Sequence, residues 1–205
     1  ITAMRTSSSL VGSLISIILP LRLISAGYKS HEATSAFGAF FGMAMPLIYI
    51  PMSLIGPLTI VLIPKIAESF YKNDNITLKK DIERALNFST FLSAMIVPAF
   101  ICVGEELGVF LFSSVSGGIY TSRSAFLMIL LSVSSLTTSI LNSLGEENKT
   151  LLSFLISNFA LILCVFLLPK FIGIYALLVG YVLVYGISLV MNLKLISKKT
   201  GEKLK

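Results

Sequence analysis

Charge leaves the chain in long intervals. Ionisable residues bracket uncharged runs at Thr6 to Leu21, Ala33 to Pro64, Ala85 to Gly104, Ser124 to Gly145, Thr150 to Pro169 and Phe171 to Leu193. Each run is near or above the roughly 20 residues that a helix rising about 1.5 Å per residue needs to cross about 30 Å of hydrocarbon. A membrane barrel would show segments of about 10 residues alternating in polarity, whereas these runs are longer and apolar on most sides. The pattern predicts an all-α polytopic membrane helix bundle of about six transmembrane helices, with spans near residues 4–26, 36–64, 85–104, 120–144, 150–168 and 172–194. Ala33 to Pro64 is too long for one perpendicular span and too short for two. It predicts a tilted or broken helix, with Pro46, Pro51, Pro57 and Pro64 as kink sites.

The longest polar stretch is Lys65 to Arg84, where Asn73, Asp74 and Asn75 mark a turn. A helix is expected to restart near Thr77. Leu78, Ile82 and Leu86 then share one face while Lys79, Lys80 and Glu83 meet water, the pattern of a short amphipathic helix lying on the membrane. Composition agrees with the runs: 55% of residues are hydrophobic and 13% charged, against about 25% charged in soluble domains. No signal peptide is expected, because nothing before Thr6 combines a basic region, a short apolar stretch and a cleavage site.

Charge sign sets an expected orientation. With a cytoplasmic N-terminus, Arg5, Lys65, Lys72, Lys79, Lys80, Arg84, Lys149, Lys194, Lys198, Lys199, Lys203 and Lys205 fall inside. Only Lys29, Arg123 and Lys170 fall outside. The positive-inside bias therefore predicts two cytoplasmic termini, a basic tail at 197–205 and a location in the cell membrane. The net charge of +6 has the same origin and favours anionic lipid headgroups. No basic stripe interleaved with aromatics points to nucleic acid.

Catalytic chemistry is scarce. The single histidine, His31, stands beside Glu32 in a short loop; Glu105 and Glu106, and Glu146 and Glu147, are read as solvated loop acids. Cys102 and Cys164 lie alone in apolar runs and are read as buried packing thiols, without metal-ligand spacing. No enzyme, metal or cofactor is expected.

Two features point elsewhere. Small and hydroxylated residues recur at helical spacing: Ser8, Gly12 and Ser16; Gly38 and Gly42; and Ser132, Ser135, Ser139 and Asn142. Such stripes pack helices closely or face a wet cavity, and the stripe ending at Asn142 is the better cavity candidate because it carries four polar groups. Arg22 follows Pro20 inside the first span. It lies about 25 Å along the helix from Arg5, nearer the outer surface than the centre. An arginine there either snorkels to headgroups or, facing a cavity, holds a phosphate through its planar fork.

The stretch Gly38-Ala-Phe-Phe-Gly-Met-Ala-Met-Pro-Leu-Ile-Tyr-Ile-Pro-Met-Ser-Leu-Ile, running on through Val61-Leu-Ile-Pro-Lys-Ile-Ala-Glu-Ser, resembles the eighth transmembrane helix of the polysaccharide-exporter family that includes stage V sporulation protein B. That family lies in the multidrug, oligosaccharidyl-lipid and polysaccharide flippase superfamily. Pro20 late in the preceding helix fits the pattern, although some relatives carry an acid where this chain has Leu19. The resemblance implies the C-terminal lobe, helices seven to twelve, of a protein whose two lobes enclose a V-shaped cavity and move lipid-linked sugars by alternating access. It implies membrane lipids, a lipid-linked sugar substrate and the N-terminal lobe of the same protein as partners, and Pro20, Pro46, Pro51 and Pro57 with Gly38 and Gly42 as hinge or packing positions. The substrate is expected at Arg22, Ser132, Ser135, Ser139 and Asn142. A multidrug or cation antiporter of the same superfamily and a non-transporting membrane scaffold are the alternatives.

Overall fold

The uncharged runs form helices in a computed structural model that describes residues 2–200. In chain order they are α1 (Thr2–Ser25), α2 (Ser30–Phe37), a π-helical segment (Gly38–Ala44), α3 (Met45–Ile48), α4 (Ile50–Tyr71), α5 (Asn75–Phe112), α6 (Val115–Ser124), α7 (Leu127–Ser143), α8 (Glu147–Leu167), α9 (Pro169–Ile172) and α10 (Tyr175–Thr200). Five stretches are long and apolar enough to cross a membrane, and α6 with α7 makes a sixth if the bent pair counts as one span. The protein is an all-α bundle of membrane-spanning helices. Residues 197–200 of the expected tail complete α10; residues 201–205 and the Arg5 side chain lie outside the described residues.

The second span is broken, as its length and prolines predict. Gly38–Ala44 winds as a π-helix, and the chain breaks again at Tyr49. Pro46 and Pro51 stand in the first turns of α3 and α4, where a missing N–H costs no helical hydrogen bond. Pro57 and Pro64 lie inside a continuous α4, and Pro20 inside α1. Gly38 and Gly42 do not make the close contact expected of them. A Cβ added at either would have no neighbour within 4 Å, because Ala39, Phe40 and Ala44 take the buried side of this segment.

Lys65 to Arg84 is not a surface loop with a separate short helix. The Asp74 carboxylate accepts from the Thr77 N–H at 3.1 Å and caps α5, which then runs for 38 residues. At about 1.5 Å per residue it spans about 57 Å, nearly twice the hydrocarbon thickness. Leu78, Ile82 and Ala85 are fully buried against Ile66 of α4, Leu136 and Ile140 of α7 and Ile196 of α10. The apolar stripe belongs to a protein core because those helices extend alongside it and cover it. Asp81, on the same helix, is 2% exposed and pairs with Lys65 at 3.1 Å, tying α4 to α5. Glu105 and Glu106 also stand on α5 rather than in a loop.

The fourth span is not one helix over 120–144. A 60° bend separates α6 from α7, and α6 folds back along the far half of α5. Three glycines permit the approach. A Cβ on Gly108 would overlap the backbone of Gly118, one on Gly118 would overlap the backbone of Glu105, and one on Gly104 would lie 3.0 Å from the Ser122 backbone, while a Cβ on Gly117 would meet Met43 instead. Only residues without side chains pack at this distance. Ser114 caps α6 by accepting from the Gly117 N–H at 3.1 Å, and the Ser122 hydroxyl donates across the pair to the Ile101 carbonyl at 2.6 Å.

Candidate functional site

A cavity of about 450 Å³ opens among α1, α4, α7, α8 and α10. Four of these helices turn small or polar residues towards it, and α4 contributes Met52. Ser8 and Gly12 come from α1; Ser134, Ser135 and Thr138 from α7; Thr150, Ser157 and Asn158 from α8; Ser188 from α10. Tyr49, Tyr181 and Tyr185 supply an aromatic wall with Leu131, Phe154 and Leu161. The Tyr181 and Tyr185 rings stack with centroids 6.0 Å apart, and the Tyr49 and Tyr185 hydroxyls lie 3.0 Å from each other. Among the described residues no ionisable acid or base other than these tyrosines lines the cavity. Ser8, Phe41 and Tyr49 are exposed and form its open rim.

The hydroxyls are held by their own helices. Ser157 donates to the Ser153 carbonyl at 2.7 Å, Thr138 to the Ser134 carbonyl at 2.9 Å, and the Asn158 amide to the Phe154 carbonyl at 2.8 Å. This back-bonding gives the hydroxyl and amide donors partners inside an apolar bundle. Behind the wall, fully buried Asn192 donates to the Thr138 hydroxyl at 2.9 Å, and its own side-chain oxygen has no partner.

The expected stripe on α7 divides. Ser135 reaches the cavity. Ser139, which donates to the Ser135 carbonyl at 3.1 Å, and Asn142, whose oxygen accepts from Thr150 at 2.6 Å, are not among the residues that line it. Ser132 is fully buried away from it, its hydroxyl unpartnered. The cavity-lining face is rotated towards Leu131, Ser134 and Thr138, a shift that spacing within one helix cannot specify. The contributions of α8 and α10 went unread, although Ser153 with Ser157, Tyr181 with Tyr185 and Ser188 with Asn192 repeat the same four-residue interval.

Arg22 does not enter the large cavity. It sits near the other end of α1, its guanidinium carbon 3.3 Å from the centroid of the Phe166 ring, in a separate pocket of about 420 Å³. The remaining chemical candidates resolve as structural groups. Glu32 accepts from the Lys29 N–H at 3.1 Å and caps α2, while His31 is exposed. Cys164 is buried, but Cys102 is exposed rather than buried, because it lies on the outer side of α5.

Glu146 is not a free loop acid. It lies between α7 and α8 with its side chain 14% exposed, 2.8 Å from Lys149 and 2.7 Å from Lys199 near the end of α10. Hydrogen bonds from Lys149 and then Lys199 hold its carboxyl at about 2 rather than its ordinary 4.5. A depressed carboxylate stabilises the fold above the unfolded value and loses that contribution as pH falls towards the folded one. Glu146→Gln is thus expected to lower the melting temperature at pH 6, and the gap from wild type should close as pH falls from 4.5 to 2. A gap unchanged across that window would show that the clamp carries no stability.

No protein-family model matches the chain, and neither a curated protein nor a solved structure matches it.

Proposed function

We propose that the chain is one lobe of a membrane transporter that moves a lipid-linked oligosaccharide or polysaccharide precursor by alternating access. The observation that carries the reading is the uncharged, hydroxyl-lined and tyrosine-walled cavity inside a membrane bundle. A sugar is a neutral polyol. Serine and threonine oxygens and an asparagine amide match its hydroxyls, and aromatic faces pack on its C–H surfaces. Antiport of cations draws on carboxylates within the membrane, and no Asp or Glu among the described residues lines the cavity. The resemblance of Gly38 to Glu68 to the polysaccharide exporters points the same way. Ser135 is the member of the expected stripe that touches this substrate.

The open rim at Ser8, Phe41 and Tyr49 is where an opposing lobe supplies the missing wall. With the bent pair counted as one span, six passes bring both termini to one end. The excess of lysine and arginine at that end supports a cytoplasmic side there.

The reading is tested by Ser135→Cys in a background lacking Cys102 and Cys164, with the full-length transporter in membranes. A membrane-impermeant maleimide is expected to label Ser135→Cys, and saturating lipid-linked oligosaccharide is expected to slow labelling by at least about tenfold, the effect of about 1.4 kcal/mol of competing occupancy. Ser13→Cys, outside the cavity, should be indifferent to substrate. Equal labelling of Ser135→Cys with and without substrate would remove the sugar site.

A further inference from the structure

We propose that Arg22 and Lys170 form a phosphate-binding site at the membrane boundary, occupied by the phosphate group of an anionic lipid. The site is separate from the large cavity and does not rest on the transport reading.

Three parts of the chain build it: the end of α1 with Arg22, the end of α8 with Phe166 and Leu167, and α9 with Lys170 and Phe171. Its two cations face no acid, since no Asp or Glu lines the pocket, and neither forms an ion pair among the described residues. Two like charges in one pocket repel, and the repulsion grows as the surrounding dielectric falls towards that of a membrane boundary. A dianionic or monoanionic phosphate between them removes the repulsion and supplies the missing acceptor.

The geometry of Arg22 suits that role. Phe166 covers one face of the guanidinium, fixing its plane by a cation–π contact. The fork edge stays available for two parallel hydrogen bonds to phosphate oxygens, the arrangement in which arginine binds that group best. Lys170 adds a second, compact charge to the same pocket. The walls argue for a lipid as the carrier. Phe166 is 50% exposed, Leu167 59% and Phe171 79%, so the pocket is bordered by apolar surface that acyl chains cover and a soluble phosphate does not.

The test uses the whole chain in phosphatidylcholine nanodiscs doped with phosphatidic acid, released into native mass spectrometry. Wild type is expected to retain phosphatidic acid in preference to phosphatidylcholine. The double variant Arg22→Gln with Lys170→Gln is expected to bind it at least about tenfold more weakly, given the strength of charged hydrogen bonds. Arg22→Lys with Lys170→Arg keeps both charges but loses the fork stacked on Phe166, so it is expected to bind phosphatidic acid more weakly than wild type and more tightly than the double glutamine variant; binding equal to that of the glutamine variant would overturn the charge-based site. Excess inorganic phosphate should leave the lipid in place; displacement by it would assign the pocket to a free anion and overturn the lipid. Equal retention of both lipids by wild type, a comparison that needs no variant to fold, would overturn the site itself.

Discussion

Gly118→Val is expected to destabilise the bundle by about 3 kcal/mol or more, the upper end of what forced overpacking costs. The new side chain would begin inside the backbone of Glu105, and the residue facing Gly118 is itself a glycine, Gly108. Neither neighbour is a flexible side chain that can swing aside, so α5 and α6 must separate. Separation also breaks the Ser122 to Ile101 hydrogen bond and opens the bend that sets the direction of α7. Thermal melts in detergent check the effect, with Gly38→Ala and Gly42→Ala as comparisons. Those two sites have no neighbour within 4 Å of an added Cβ, and alanine there is expected to be neutral or to stabilise by up to about 1 kcal/mol through helix propensity. A Gly118→Val protein that melts with wild type would mean that the glycine contact does not hold the bend.

If the proposed transport reading holds, Ser135→Trp is expected to reduce translocation of the lipid-linked oligosaccharide at least about tenfold while leaving the melting temperature near that of wild type, since even about 1.4 kcal/mol of lost binding gives that factor. Ser135 is half-buried on the cavity wall. An indole there has about 450 Å³ of space to enter, so it displaces the ligand rather than the fold. Ser139→Trp distinguishes blocking from general disturbance. Its hydroxyl bonds to the Ser135 carbonyl one turn away and it is not among the lining residues, so an indole there should disturb packing more and the cavity less. Translocation that survives Ser135→Trp unchanged would place the transport path elsewhere.

The expected locations of the spans followed from charge-free intervals because a bilayer penalises every unpaired charge within it, whatever the tertiary arrangement. The broken second span was legible for a similar reason: Pro46 and Pro51 restrict their own backbone and need no partner to do so. The amphipathic stretch from Leu78 to Ile82 was legible as a face but not as a destination. An apolar stripe reads alike whether lipid or protein covers it, and only the reach of α4, α7 and α10 to Ile66, Leu136 and Ile196 decides between them. Arg22 was legible as a cation near one end of its span. Its pairing with Phe166 and Lys170 joins positions more than 140 residues apart, a juxtaposition no local spacing encodes.

What the sequence determined by itself is therefore local and one-dimensional: which segments are helical, which are apolar enough for a membrane, and which end of each carries positive charge. The tertiary structure alone decided that Gly108 meets Gly118 and Gly104 meets Ser122, that α6 and α7 bend apart, and that Ser135 faces the cavity while Ser132 does not. The physical reason is that periodicity gives the angle between residues on one helix but not the rotation of that helix against its neighbours. That rotation is set by the packing of all the helices together.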